Sequence, residues 1–265
     1  MSEKLLEVHG VSKSFGGVRA IDDFSFDLGE HEIVGIIGPN GAGKSTFFNL
    51  LTGIYRADAG QIKLNGRELT GLPQHEITRA GIGRTFQNIR LFRGLNVLEN
   101  VMTAADHYSA YNLFDVCFFT GRKRRREQAV REVSRKYLQL VGLEGCEQER
   151  PESLPYGLQR KLELARALAT NPKVLLLDEP AAGLNPSEVG AFIELIRRLY
   201  QQFDFSIILI EHRLEVIMEL SSRIFVLNFG KLLATGTPAE VVSNRAVTVA
   251  SLGEEEGEKA HAANQ

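Results

Sequence analysis

The sequence predicts an α/β fold built on a mostly parallel β-sheet, with an antiparallel β subdomain at its start and an inserted α-helical subdomain. Three observations predict it. Short apolar runs alternate with turn residues from Leu5 to Leu28, which is typical of antiparallel strands. Four later apolar runs are separated by helical patterns, which favours parallel strands covered by helices. Between Gln87 and about Arg166 the strand pattern gives way to helical spacing.

The strands follow from apolar runs of five residues or fewer. Ile62 to Leu64 precedes Asn65 and Gly66, a pair typical of a β-hairpin turn. The core strands are predicted at Ile33 to Ile37, Val174 to Leu177, Ile207 to Ile210 and Ile224 to Leu227.

One helix carries clear start signals. Asn185 can cap it, Pro186 suits its first turn, and Glu188 completes a capping box. Its buried face is predicted to consist of Val189, Phe192, Ile193, Ile196 and Leu199. Val130 to Leu143 and Leu158 to Leu168 also have helical apolar spacing.

Composition limits the functional classes. The chain of 265 residues has a formal net charge of -2, which removes the bulk electrostatic reason to expect a nucleic-acid partner. No apolar run is long enough for a spanning helix, and we expect an unsecreted protein. Cys117 and Cys146 follow no metal spacing, so we expect both to fill core space in a reducing compartment. The basic run Arg122 to Arg126 fits an exposed helix start or an attraction to anionic lipid or an acidic partner.

A phosphate-binding loop is indicated directly after the first core strand. The residues Gly38, Pro39, Asn40, Gly41, Ala42, Gly43, Lys44, Ser45 and Thr46 match G-x-x-x-x-G-K-[ST]. Glycines let backbone N–H groups point at phosphate oxygens, and the helix that follows presents its positive end to the same charge. We expect Lys44 to hold the β and γ phosphates of ATP and Ser45 to bind Mg²⁺.

Two acids close the strand that begins at Val174. Asp178 and Glu179 lie at the carboxyl end of this apolar run, the edge where open α/β sheets bind ligands. We expect Asp178 to orient Mg²⁺ through water and Glu179 to polarise the attacking water. With the phosphate loop, this predicts a P-loop NTPase core of the RecA-like type.

These two elements and the spacing between them resemble those of the ATP-binding-cassette (ABC) family. The resemblance extends from about Leu5 to Gly253. By that resemblance Phe15 stacks on adenine and Gln87 reaches the metal and the water. His212 is the switch histidine that contacts the γ phosphate. Ala182 to Asn185 matches the loop that crosses to a partner subunit, although Asn185 replaces the usual acid.

The signature element departs from the family pattern Leu-Ser-Gly-Gly-Gln. In Leu154-Pro155-Tyr156-Gly157-Leu158, Gly157 is kept, whereas Pro155 replaces the serine and lacks a backbone donor. Leu158 replaces the glutamine. We expect Tyr156 and Gly157 still to face nucleotide and ATP-driven closure to survive, with altered affinity or rate.

The resemblance implies an ATP hydrolase that works as a head-to-tail dimer with an identical or sister ABC ATPase subunit. It also implies membrane permease subunits, an extracytoplasmic solute-binding protein and a peripheral position on the cytoplasmic face of the membrane. The implied division is residues 1–87 and 167–252 for the core, 88–166 for the helical subdomain with the signature element, and 253–265 for a disordered tail.

Several segments are similar to the ATPases of branched-chain amino-acid importers. They are Ala80 to Gln87, Leu91 to Phe92, Leu95 to Asn100, Ala182 to Pro186, Ile210 to Arg213 and Gly236 to Pro238, with the insert around Tyr108 to Arg126. A urea or amide importer ATPase and a lipopolysaccharide-export ATPase share nearly all of these residues. A soluble cassette acting on ribosomes or DNA, and a nucleotide sensor without turnover, are the alternatives from other classes.

Overall fold

The structure, a computed structural model, describes residues 4–105, 121–244 and 247. Strands in these ranges are β1 (Lys4–Phe15), β2 (Val18–Gly29), β3 (Ile33–Ile37), β4 (Ala59–Leu64), β5 (Arg67–Glu68), β6 (Ile82–Arg84), β7 (Val174–Asp178), β8 (Ser206–Ile210), β9 (Arg223–Asn228) and β10 (Lys231–Gly236). The α-helices are α1 (Lys44–Leu51), α2 (Gln74–Ala80), α3 (Val97–Ala105), α4 (Gly121–Leu140), α5 (Tyr156–Ala169), α6 (Pro186–Gln202), α7 (Leu214–Leu220) and α8 (Pro238–Ser243).

The front of the chain forms an antiparallel sheet of four strands in the order β2-β1-β4-β5. The β4–β5 hairpin turns at Asn65 and Gly66, which have φ values of 49° and 73°. Both lie in the left-handed region that Asn and Gly tolerate best. The predicted antiparallel subdomain and its hairpin are therefore confirmed.

The second sheet has six strands in the order β10-β9-β3-β8-β7-β6. All neighbouring pairs from β9 to β6 are parallel, and β10 pairs with β9 antiparallel. The four predicted core strands are confirmed at its centre. The edge strands β6 and β10 were not predicted, because β6 has three residues and β10 is largely exposed, so neither has a long apolar run.

Alternate side chains of the central strands enter two cores on opposite faces of this sheet. In β3, Ile33 and Ile37 pack with the helices, including α5 and α6. Val34 and Ile36 pack instead with α1 and the antiparallel sheet. A strand that is covered on both faces is apolar throughout, which explains the short continuous runs in the sequence.

The helix expected from the capping signals is α6. Asn185 accepts a hydrogen bond from the Glu188 N–H, and the Glu188 side chain accepts one from the Asn185 N–H. The predicted apolar face is buried. The helical pattern predicted through Leu143 was wrong at its end, because α4 stops at Leu140 and Gly142 turns the chain with φ 73°.

Some predictions lie outside the described residues. They concern the tail 253–265, Cys117 and residues 108–120 of the insert. Cys146 is partly buried against the helix-side core. None of the described helices is long and apolar enough to cross a bilayer.

Candidate functional site

The site forms where four neighbouring parallel strands end. β3 leads into the phosphate loop, β8 into His212, β7 into Glu179, and β6 into the segment that carries Gln87. In the sheet these strands lie in the order β3-β8-β7-β6. Their carboxyl ends share one edge, so residues far apart in the sequence meet there.

The phosphate loop needs its glycines for steric reasons. Gly38 and Gly43 have φ values of 150° and 107°. A Cβ on Gly38 would lie 2.1 Å from the Leu227 carbonyl oxygen, and one on Gly43 would lie 2.5 Å from that of Ala20. The loop therefore packs directly on neighbouring backbone. It ends where α1 begins at Lys44, which places a helix N-terminus at the pocket.

The phosphate pocket has a volume of about 240 Å³. It is lined by Ala20, Asn40, Gly41, Ala42, Gly43, Lys44, Ser45, Thr46, Gln87, Glu179 and His212. The Lys44 Nζ donates hydrogen bonds to the carbonyl oxygens of Gly38, at 2.6 Å, and Pro39, at 2.9 Å. Burial lowers the pKa of Lys44, against the raising effect of the Glu179 and Asp178 carboxylates.

Glu179 is held between two loops. Gln87 Nε2 donates to its Oε2 at 2.8 Å, and His212 Nε2 lies 2.8 Å from its Oε1. Its φ of 47° places a non-glycine residue in the left-handed region, which costs about 1–2 kcal/mol. Each carboxylate oxygen has two lone pairs, so Glu179 can accept a further hydrogen bond from a water molecule.

Asp178 lies behind Glu179 and is buried. Arg84 Nη2 donates to its Oδ2 at 2.7 Å, and Arg84 Nη1 donates to Asn49 on α1 and to Thr52, the residue after α1. Burial raises the pKa of Asp178, whereas the hydrogen bond from Arg84 lowers it. The role of Arg84 is not visible in the sequence, because a single arginine at the end of a three-residue strand carries no pattern.

The residues predicted to bind metal supply oxygen atoms. The Ser45 hydroxyl, the Gln87 amide and the Asp178 carboxylate are donors of the kind that Mg²⁺ prefers. Within the described ranges, no group of three or more His, Cys, Asp or Glu residues could hold a metal ion. This donor set fits Mg²⁺, which usually keeps waters and phosphate oxygens among its ligands.

Glu211 is a second residue of the site whose role is not visible in the sequence. Its buried carboxylate accepts hydrogen bonds from the backbone N–H groups of Ala181, at 2.8 Å, His212, at 2.9 Å, and Arg213, at 3.2 Å. It thus joins the loop after β7 to the loop after β8. Its sequence signal, an acid directly after a run of apolar residues, is the same as that of Asp178.

Phe15 and the signature residues lie outside the lining of the phosphate pocket. Phe15 is 41% exposed and meets the edge of Tyr55, with a ring-centroid distance of 4.9 Å. Tyr156 and Gly157 form the first turn of α5 after Pro155. The structure therefore brings Lys44, Gln87, Glu179 and His212 together in the phosphate pocket. It places Phe15, Tyr156 and Gly157 outside the lining of that pocket.

Comparison with known proteins agrees with this architecture. The profile of the ABC transporter family matches residues 21–182. The chain is 44% identical over 254 residues to the high-affinity branched-chain amino acid transport ATP-binding protein LivG of Salmonella typhimurium, covering 96% of this chain and 100% of LivG. It is 42% identical to BraF of Pseudomonas aeruginosa, which has the same description, with the same coverage.

More distant matches share the fold. The lipopolysaccharide export system ATP-binding protein LptB of Haemophilus influenzae is 32% identical, covering 95% of this chain and 98% of LptB. The chain superposes on the crystal structure of the ADP conformation of MJ1267, an ATP-binding cassette of an ABC transporter, with a TM-score of 0.82 and 28% sequence identity. The match covers 96% of this chain and 100% of MJ1267 in that structure. The chain therefore belongs to the ABC transporter family as one of its ATPase cassettes.

Proposed function

We propose that this chain hydrolyses ATP in the phosphate pocket and thereby drives a membrane importer of branched-chain amino acids. The observation that carries the chemistry is the convergence of Lys44, Gln87, Glu179 and His212 on one pocket at the start of α1. Residues that follow four different strands meet there. Such an arrangement suits phosphoryl transfer, because catalysis of that reaction depends on positioning the reactants and on stabilising charge.

The phosphate loop binds the triphosphate. Its backbone N–H groups and the start of α1 face the phosphate oxygens, and Lys44 moves from the loop carbonyls to the β and γ phosphates. Ser45, Asp178 and Gln87 would hold Mg²⁺, which would offset negative charge on the phosphates. Arg84 keeps the Asp178 carboxylate fixed beside α1.

Glu179 orients and polarises the water that attacks the γ phosphate. Gln87 and His212 each bind one of its carboxylate oxygens, so the carboxylate is held in one orientation when the water attacks. His212 also contacts the γ phosphate and thereby detects whether that phosphate is present. These roles agree with the geometry, in which a single carboxylate contacts both residues.

A second cassette completes each site. Tyr156 and Gly157 lie outside the phosphate pocket of their own chain, which supports a head-to-tail pair in which they face the partner's nucleotide. Phe15, with a ring that is partly exposed beside Tyr55, stacks on adenine. Asn185 and the loop before it contact the partner.

The permease subunit docks in a groove between the core and the helical subdomain. The groove has a volume of about 450 Å³, and Phe92 on its wall is 50% exposed. Arg90 and Arg166 stack on Phe86 and Phe92, with distances of 4.5 and 4.8 Å to the ring centroids. An apolar floor with fixed cations suits a short helix from a membrane protein. A chain that docks in this way lies peripherally on the cytoplasmic face of the membrane.

The solute assignment rests on the relatives. LivG and BraF, at 42–44% identity, are branched-chain amino acid transport ATP-binding proteins. In the proposed importer an extracytoplasmic solute-binding protein delivers the amino acid. LptB, at 32%, supports lipopolysaccharide export as the weaker alternative.

The test uses the chain with its membrane partners, identified by copurification from membranes. Vesicles that contain the complex and a solute-binding protein should accumulate radiolabelled leucine, isoleucine or valine when Mg·ATP is supplied on the cassette side. ATP turnover without accumulation of any of these amino acids would overturn the solute assignment. The absence of both turnover and nucleotide binding would overturn the ATPase proposal.

A further inference from the structure

Arg160 connects the glutamine segment to the signature element. This arginine on α5 is 3% exposed. Its Nη1 donates to the Phe86 carbonyl oxygen at 2.9 Å, and its Nη2 donates to the Gln87 carbonyl oxygen at 2.6 Å and to the Tyr156 hydroxyl at 2.8 Å. One buried guanidinium thus binds two consecutive backbone carbonyls of the segment that carries Gln87.

We propose that Arg160 is a positioning residue, which fixes Gln87 against Glu179 and couples that arrangement to Tyr156 in the signature element. The inference rests on the proposed function, because it assigns Arg160 a role in the same ATPase site. A planar guanidinium can reach three acceptors in fixed directions, whereas a lysine ammonium is a single point on a flexible stem.

Glu163 binds the same segment at the Phe86 N–H. Its Oε1 accepts a hydrogen bond from the Phe86 N–H at 3.1 Å, and its Oε2 lies 3.4 Å from Arg160 Nη1. Glu163 is 3% exposed. The Phe86 N–H and carbonyl groups are therefore bound by the two members of a buried ion pair, which ties the glutamine segment to α5.

Tyr156 extends the connection to the loop that follows Glu179. A Cβ on Gly183 would lie 2.8 Å from Tyr156 Cε1, so the tyrosine ring packs directly on that glycine. The contacts form a circuit that the backbone from Glu179 to Gly183 closes: the Gln87 side chain binds Glu179, the Gln87 carbonyl binds Arg160, Arg160 binds Tyr156, and Tyr156 packs on Gly183.

The circuit has a functional consequence. Gln87 and Glu179 serve the nucleotide of their own chain, whereas Tyr156 faces the nucleotide of the partner in the proposed dimer. A shift of Gln87 at one site is transmitted through a rigid side chain to the surface that completes the other site. Arg160 therefore sets the rate of turnover through Gln87, without touching nucleotide itself.

The experiment is a double-mutant cycle in the purified full-length chain, assayed with its transporter membranes. We expect Arg160→Lys to lower kcat by about 10-fold or more, since it loses hydrogen bonds that a charged donor makes to two carbonyls. The dissociation constant for ATP should stay near that of the wild type. In a Gln87→Ala background the same substitution should have little further effect on kcat.

Three results would overturn the inference: unchanged kcat in Arg160→Lys, an equal loss of kcat with and without Gln87, or a loss confined to ATP affinity. Arg131→Lys, an arginine substitution on the partly exposed surface of α4, is the matched control and should behave as the wild type. Turnover by the wild-type chain tests the proposed function separately.

A milder variant serves if Arg160→Lys does not fold. Tyr156→Phe removes only the hydroxyl that Arg160 binds and keeps the ring on Gly183. It should lower kcat by about threefold or more, a smaller effect than that of Arg160→Lys because both contacts of Arg160 with the glutamine segment remain, and this loss should vanish in the Gln87→Ala background. Wild-type kcat in Tyr156→Phe would overturn the coupling to the signature element.

Discussion

The substitution Glu179→Gln tests the assignment of the water-polarising residue. It keeps the size and shape of the side chain but replaces one acceptor oxygen with an NH₂ group. In the wild type both carboxylate oxygens have a partner at 2.8 Å, Gln87 on one side and His212 on the other. A glutamine has only one acceptor oxygen, so its NH₂ group faces either Gln87 or His212 and cannot accept a hydrogen bond there.

Two losses therefore combine in this variant. General-base catalysis contributes about 10²–10⁴ in rate, and a lost hydrogen bond to a charged group is worth about 1.5–3 kcal/mol. We expect kcat to fall by at least about 10²-fold, the lower limit for the base alone. The phosphate loop is unchanged, so the affinity for ATP should remain close to that of the wild type.

The assay is single-turnover phosphate release from bound ATP, with affinity measured by calorimetry. Glu215→Gln is the matched control, because it makes the same charge change at an exposed residue in the first turn of α7. Wild-type turnover in Glu179→Gln would refute the assignment. Loss of ATP binding in a folded variant would instead show that Glu179 holds the nucleotide.

Three further predictions follow from local geometry. Asn185→Ala removes the 3.0 Å cap to Glu188 N–H and should lower the free energy of unfolding in urea by about 1 kcal/mol; an unchanged midpoint would contradict this. Gly38→Ala places a Cβ 2.1 Å from the Leu227 carbonyl oxygen, so calorimetry should find ATP binding abolished, and retained affinity would show that the loop adapts. Burial raises the pKa of Glu163 above its ordinary value near 4.5, so between that value and the raised pKa the folded state binds more protons than the unfolded state. The free energy of unfolding therefore falls as pH rises through this range. Glu163→Gln should lack this component, and identical pH profiles in urea titrations would contradict it.

The local elements of the fold could be predicted from the sequence because each depends on neighbouring residues. The phosphate loop is specified by backbone positions that only glycine can occupy, such as Gly38 and Gly43. The helix after it is specified by its apolar spacing. The capping box of α6 needs only Asn185 and Glu188, three residues apart. The central strands are apolar throughout because both faces of the sheet are covered, which made them visible as short runs.

The partnerships inside the site depended on the tertiary structure. Arg84 binds Asp178, and Arg160 binds the carbonyl oxygens beside Gln87, yet in the sequence both are ordinary arginines. The edge strands β6 and β10 were also missed, since short or exposed strands have no apolar period to detect. Strand order brings these residues together, and strand order is set by long-range packing that a linear pattern does not contain. The residue types thus predicted which chemistry was available, and the arrangement of the sheet decided which groups hold the reacting carboxylate in place.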